Sequence, residues 1–399
     1  MSAQNLLIVQ GGGPTAVFNA SLASIIRESF HQSRIGEIYG ARAGMKGLSS
    51  ADIVGLSHLG PGDLLSLRNS PGAALGSSRF QPSEQDLERS VEHLQRFGIR
   101  YLVFMGGNGT MRGADLFRRF CRKLNLDIQI IGIPKTIDND ISATDRCPGF
   151  ASAARFVAQS TLDLSMDIRS LPQPVSIFET LGRDVGWLAA SSTLARRDAD
   201  DAPHLVYIPE IPFSLEAFLS DLDNVVSRIG WAVVVISEGV QYVDGSRVFE
   251  QKNASQYSSS NRPLIGGVAQ YLSGVVGESL GIRCRSEKPG LIGRSCTAQV
   301  SRRDLEDAEL VGRAGVRALV AGETDKMVAL CPLDVRSEHA FKLVPLSEAG
   351  GSHREIPADW LSNDALAVTS SFRDYVRPLV GELSYYPAPL STLPRHEPV

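Results

Sequence analysis

The chain has 399 residues, 43% of them hydrophobic and 21% charged, with a formal net charge of −4. Its 37 glycines and 21 prolines follow no short period, which excludes collagen-like and disordered classes. Near-neutral charge argues against a sequence-blind nucleic-acid binder, and no run approaches the ~18 apolar residues of a membrane helix. At ~100–200 residues per domain, this length predicts two or three domains, or two halves around a cleft. Of 40 basic residues only seven are lysine. Arginine forks suit an anionic substrate, although a general compositional bias explains the ratio equally well. Five widely spaced cysteines without a C-x-x-C pair, and an opening MSAQNLLIVQGGG that lacks a secretory pattern, lead us to expect a reducing cytoplasm.

In chain order, apolar runs predict strands at Leu6–Gln10, Tyr101–Met105, Ile128–Ile133, Val175–Glu179, His204–Ile208 and Trp231–Ser237. Between and after them, helical spacing is read at Asn19–Ser29, Pro82–Phe97, Met111–Leu124, Ala151–Ile168, Val185–Arg196, Ser214–Ile229, Val268–Leu280 and Asp304–Ala321. Continuous apolar strands alternating with helices predict mostly parallel sheets covered on both faces. The polar stretch 249–262 is expected as a surface loop, and the proline-rich 361–399 as a closing strap rather than a domain. No repeat separates the halves.

Ligands in such sheets bind beyond the carboxyl ends of strands, and three polar turns stand there. The first, GGGPTAVFNAS (11–21), follows LLIVQ. Its glycines allow close backbone approach to phosphate, and the following helix aims its N–H groups and dipole at it. Gly11, Gly13 and Ala16 also meet the loose dinucleotide fingerprint. NAD needs an acid about 20 residues on, whereas Glu37 lies before the candidate second strand and Arg42 after it, which counts against NAD more than NADP. A plain turn without ligand explains this loop equally well. The second turn is GGNGT (106–110), and two such loops point to one long phosphorylated ligand or several phosphates. The third, IPKTIDND (133–140), gathers Lys135, Thr136, Asp138 and Asp140. If that backbone is extended, both aspartates share one side, one to deprotonate a hydroxyl and the other to hold Mg²⁺. An exposed acidic turn is the bland alternative.

GGGPTxxxN, GGNGT, PKTIDND, LGRDVGWLA (181–189) and VISEG (235–239), with LGSSRF (75–80), PHLVYIPE (203–210) and IRCRSEKPGLIGR (282–294), resemble the phosphofructokinase family in order and spacing along nearly the whole chain. The set is most similar to the long bacterial branch usually called pyrophosphate-dependent. PKTIDND is highly specific, the glycine loops less so. The resemblance implies two Rossmann-like three-layer α/β domains with mostly parallel sheets and an active site in the interdomain cleft. The donor domain would take 1–149 plus 293–343, and the sugar-phosphate domain 150–292 plus 344–399. It implies a phosphotransferase moving a phosphoryl group from ATP or pyrophosphate to the 1-hydroxyl of a ketose phosphate, by default fructose 6-phosphate. Mg²⁺ is the implied cofactor and a homodimer or homotetramer the implied assembly.

By the same resemblance Asp138 is the general base. Thr136 and Asp140 flank the transferred phosphoryl, Asp140 on its Mg²⁺ side with Asn108 and touching substrate as well, and Lys135 stands near the donor's terminal phosphates. Gly12, Gly13, Arg79, Gly107, Asn108, Gly109 and Thr110 take the donor. Arg183 meets developing charge, while Gly182 and the Leu181 backbone approach the sugar. Glu238 accepts its hydroxyls, and Arg285 and Arg294 clamp its 6-phosphate, Arg285 from a neighbouring subunit. Each arginine taken singly is equally a surface ion pair, Glu238 equally a helix cap, and the Leu181 and Trp187 side chains core. All seven histidines are read as structural. The chain departs from the family at Asn108 (usually acidic), Ala16, Val17, Pro174, Gly293 and Leu291, the last replacing a His or Tyr on the sugar phosphate. Gly109 is typical of ATP users, whereas Lys135 is typical of pyrophosphate users. Other readings are a nicotinamide oxidoreductase using only the first loop, a non-catalytic sugar-phosphate sensor, and the same chemistry on an epimeric or seven-carbon ketose phosphate.

Overall fold

The computed structural model describes residues 3–170, 174–250, 265–333 and 340–387. Most of the stretch expected as a polar loop, from 251 on, and the strap beyond 387 lie outside them. The described strands are β1 (Gln4–Gln10), β2 (Ile35–Ala41), β3 (Ile53–Gly55), β4 (Ile99–Gly106), β5 (Gln129–Pro134), β6 (Val175–Thr180), β7 (Leu205–Tyr207), β8 (Ala232–Ser237), β9 (Cys284–Glu287), β10 (Lys326–Leu330) and β11 (Phe341–Pro345). Among the described residues the chain divides into two compact units. One comprises the chain up to Ala153 with Arg294–Arg354, and the other comprises Ala154–Gly293 with the chain from Glu355 on.

The first unit holds a seven-stranded sheet in the order β11-β10-β5-β4-β1-β2-β3. Its central pairs are parallel, and β3 and β11 close the edges antiparallel. Alternation sends successive side chains to opposite faces. Leu6, Ile8, Val103 and Met105 pack with Phe18, Leu22, Ile25, Val311 and Leu319, from helices Phe18–Phe30 and Arg302–Val320. Leu7, Val9, Leu102 and Phe104 pack with Val91, Leu94, Met111 and Phe117, from helices Glu84–Arg96 and Asn108–Lys123. Three layers result. Ser83 and Asp86 form a reciprocal cap that starts Glu84–Arg96. The Phe150–Ser170 helix starts where buried Asp304 accepts the Gly149 and Ser152 N–H groups at 2.8 and 3.0 Å.

The second unit is built on the all-parallel sheet β7-β8-β6-β9. Val175, Ile177, Val234 and Ile236 face Phe218 and Leu222 of helix Leu215–Ile229 and Leu272 and Val276 of helix Val268–Leu280. The Trp187–Ser191 helix, in contact with β6, β7 and β8, carries fully buried Trp187, against which Phe372 and Tyr375 pack tilted and Trp360 edge-on.

The six predicted strands all form. Five further strands, β2, β3, β9, β10 and β11, were not delimited from the sequence. All five are edge strands or the neighbours of one, and IGEIYGA, CRSE and FKLVP carry the polar residues that half-exposed strands tolerate. Glu37 lies inside β2 rather than before it and accepts from Ser57 Oγ. The expected strap contains a helix, Ser370–Val380, whose apolar side covers Trp187. Val185–Arg196 shortens to Trp187–Ser191 followed by a 3₁₀ turn.

His204 acts structurally. Its Nδ1 accepts from Val233 N–H at 2.9 Å, and its edge meets Trp231. Burial pushes the imidazole down from 6.5 to about 4. A base whose folded pKa is depressed gives stability that is complete above about 6.5 and lost as pH falls toward 4. Urea midpoints should therefore fall across that window, and His204→Asn, which keeps an acceptor for Val233, should flatten the fall.

Candidate active site

In the first unit, β1, β4 and β5 run parallel side by side, with Gln10 opposite Met105 and Met105 opposite Ile133. The chain therefore leaves all three strands at one level. Gly11 N–H donates to the Met105 carbonyl at 2.8 Å, and Lys135 N–H to the Gly106 carbonyl at 2.9 Å. A Cβ at Gly11 or Gly106 would lie 2.5 or 2.2 Å from Thr110 Oγ1, so the two loops touch only because both residues are glycine. Gly107 caps the Asn108–Lys123 helix, whose first turn points into the same space. Gly12, at φ +76°, is bonded to the 75–80 turn through Ser77 and Ser78, beside exposed Arg79. At Gly109 a side chain would meet no atom within 4 Å.

Lys135 is 3% exposed. Its Nζ donates to the Gly13 carbonyl at 2.5 Å and lies 4.7 Å from the centre of the Phe18 ring. Burial first, and then the Arg294 guanidinium, push this ammonium down to about 7 against the pull of Asp138 and Asp140. Arg294 belongs to this unit, and a Cβ at Gly13 would lie 2.8 Å from its guanidinium.

The third turn is not extended. Asn139 has φ +54°, so the alternation inferred for Asp138 and Asp140 does not hold through it. Thr136 Oγ1 donates to Asp140 Oδ1 at 3.0 Å and accepts from Asp138 N–H at 3.1 Å. Asn108 Nδ2 donates to Asp140 Oδ2 and to its carbonyl, both at 2.9 Å, and His353 Nδ1 lies 2.9 Å from Oδ2. Burial works to raise the Asp140 pKa, but the His353 and Thr136 bonds hold it below the usual aspartate value. His353 is the residue sequence reasoning missed. It comes from 213 positions along the chain, and no motif marks it.

No cluster of three His, Cys, Asp or Glu side chains able to hold a metal occurs among the described residues. The oxygens that are present nevertheless fit Mg²⁺. Asn108 Oδ1 is buried without a hydrogen-bond partner, and Asp140 stands beside its amide. Mg²⁺ usually takes one or two such oxygens and completes its shell with water and phosphate.

In the second unit β6 and β8 pair Thr180 with Ser237, so the 181–183 and 237–239 turns adjoin. Gly182, at φ +137°, is buried, and its carbonyl accepts from Ser237 Oγ at 2.5 Å. A Cβ at Gly239 would strike the Arg183 carbonyl at 1.9 Å. Leu181 is half-buried. Burial, and then neighbouring Glu179, push Glu238 up to about 7, opposed by Lys288 and Arg183. Buried Glu179 accepts the Gly267 and Ala269 N–H groups that open helix Val268–Leu280, and Lys288 Nζ sits 3.1 Å from it. Lys288 and Arg247, which reaches the Arg183 and Gly239 carbonyls, were also missed. Arg285 is exposed on β9 opposite Ser176, four residues before the Thr180 strand end.

The sequence pattern of the phosphofructokinase family matches residues 5–318. The pyrophosphate–fructose 6-phosphate 1-phosphotransferase of Xanthomonas campestris is 34% identical over 393 residues, covering 95% of this chain and 92% of its own. A sulfofructose kinase of Alkalicoccus urumqiensis is 33% identical, covering 89% of this chain and 91% of its own. The crystal structure of a pyrophosphate-dependent phosphofructokinase from Marinobacter aquaeolei matches with a TM-score of 0.84 at 32% identity, over 98% of this chain and 95% of that one. With strand-end glycine loops, PKTIDND and this extent of likeness together, the chain belongs to the phosphofructokinase family and is an enzyme of its phosphotransferase type.

Proposed function

We propose that the chain transfers the terminal phosphoryl group of ATP to the 1-hydroxyl of a ketose phosphate, fructose 6-phosphate first. The observation that carries this reading is the convergence of both glycine loops, Lys135 and the Thr136–Asp138–Asp140 turn at the ends of three adjacent strands. The first unit takes the donor. Backbone N–H groups of Gly13, Gly107, Asn108 and Gly109 meet its phosphates, with Gly12, Thr110 and Arg79 beside them. Lys135 faces the terminal phosphates, and their arrival favours its ammonium form. Asp138 accepts the proton of the attacking hydroxyl. Thr136 and Asp140 hold the transferring group, mostly by positioning and charge. Mg²⁺, held by Asn108 Oδ1 and Asp140, would neutralise phosphate charge.

The second unit takes the acceptor: Glu238 its hydroxyls, Gly182 and the Leu181 backbone its sugar ring, and Arg183 the developing charge. Arg294 clamps the 6-phosphate, and Arg285 acts from a second copy in a homodimer or homotetramer. No described helix is long and apolar enough to cross a membrane, and a cytoplasmic metabolic role suits these substrates.

The donor rests on Gly109. An aspartate there would repel a nucleotide's α-phosphate, whereas glycine leaves open space. Pyrophosphate is the second reading, favoured by the names of the relatives. On the acceptor side, Leu291 is 62% exposed where family members often carry a hydrogen-bonding side chain. A sulfonate, with one charge fewer than phosphate, needs fewer donors, and one relative is named a sulfofructose kinase.

A coupled assay crossing ATP and pyrophosphate with fructose 6-phosphate, its epimers, a seven-carbon ketose phosphate and sulfofructose decides among these. We expect the highest kcat/KM with ATP, and stronger use of pyrophosphate would overturn that choice. Gly109→Asp should lower kcat/KM for ATP by about tenfold or more and spare pyrophosphate. Asp138→Asn should lose ~10²–10⁴-fold in kcat with acceptor binding retained, and a variant keeping a tenth of wild-type kcat moves the base elsewhere. Arg294→Ala should raise the acceptor KM about tenfold. An unchanged KM with a collapsed kcat contradicts the clamp.

A further inference from the structure

We infer that His353 is a positioning residue for Asp140, in a site where residue 108 is an amide instead of an acid; the inference rests on the phosphotransferase reading above. Three side chains converge on the Asp140 carboxylate. Thr136 Oγ1 donates to Oδ1 at 3.0 Å, while Asn108 Nδ2 and His353 Nδ1 both lie 2.9 Å from Oδ2. A carboxylate only accepts, so the short contact assigns the imidazole proton to Nδ1. Asn108 Nδ2 lies 3.4 Å from that nitrogen but is a donor too. The two groups are therefore neighbours aimed at one oxygen rather than partners of each other.

The backbone holds His353 to this task. Ile141 and His353 form an antiparallel bridge, and Arg354 N–H donates to the Asp140 carbonyl at 2.9 Å. The main chain on both sides of the ring is thus tied to Asp140 and its neighbour. Asp140 is mostly buried, its side chain 13% exposed, while that of His353 is 31% exposed.

Asn108 explains why such a group matters. An aspartate at 108 would set a second negative charge against Asp140, and only a cation between them would relieve it. The amide donates instead, so that Thr136, Asn108 and His353 orient Asp140 before any cation joins it. Without His353, Oδ2 keeps a single side-chain donor and the carboxylate is free to turn. Displacing a group beside the transferring phosphoryl lowers kcat more than it weakens substrate binding.

The test compares wild type, His353→Leu and His353→Asn, with the best donor and acceptor found above. His353→Leu should lower kcat about tenfold or more while the acceptor KM stays within about twofold. His353→Asn, whose amide nitrogen sits near the lost Nδ1, should recover most of that loss. Unfolding midpoints of His353→Leu, Asp140→Asn and the double variant should be non-additive, a readout independent of turnover. Additive midpoints, a kcat for His353→Leu within twofold of wild type, or His353→Asn no better than His353→Leu would each overturn the role. If the wild type transfers phosphoryl from no donor, the functional reading falls separately, and additivity of the midpoints then decides whether His353 acts on Asp140 at all.

Discussion

The hydrogen-bonded register of β1, β4 and β5 governs what the first unit can do. Because Gln10, Met105 and Ile133 stand in line, the loops after the three strands begin side by side and must share one small volume. Gly11 and Gly106 make that possible, since a Cβ on either would overlap Thr110. Backbone N–H groups are then left along the strand ends where side chains would otherwise fill the space, and such rows of donors attract phosphate.

That crowding also sets the electrostatics. Lys135 cannot reach water and is held by the Gly13 carbonyl and the face of Phe18. Arg294 stands beside Gly13, and Asp138 and Asp140 act on the same ammonium from the third turn. Cations at a glycine loop suit phosphate oxygens. In the second unit Glu179 and Glu238 share the ends of β6 and β8, with Lys288, Arg183 and Arg247 around them. Carboxylates there suit hydroxyl groups better than phosphate, in keeping with a sugar acceptor.

Much of this was legible in the sequence. β-branched apolar runs such as LLIVQ and AVVVIS marked the buried parallel strands, since only strands covered on both faces carry such unbroken patterns. The glycine loops and PKTIDND marked the chemistry, since each concentrates its residue types within a few positions. Edge strands were not legible. CRSE and FKLVP are half-exposed and read as loop until a neighbour pairs with them.

The sequence by itself therefore determined most of the buried strands (though not β10), which turns can face phosphate, and to which family the chain belongs. Tertiary structure alone decided which side chains meet: His353 on Asp140, Lys288 on Glu179, and Arg294 against Gly13. The reason is physical. Local pattern reports how a segment meets water and its own backbone, within a few residues. A hydrogen bond between positions 140 and 353 depends on strand order and on a bridge between distant segments, and no short stretch of chain contains either.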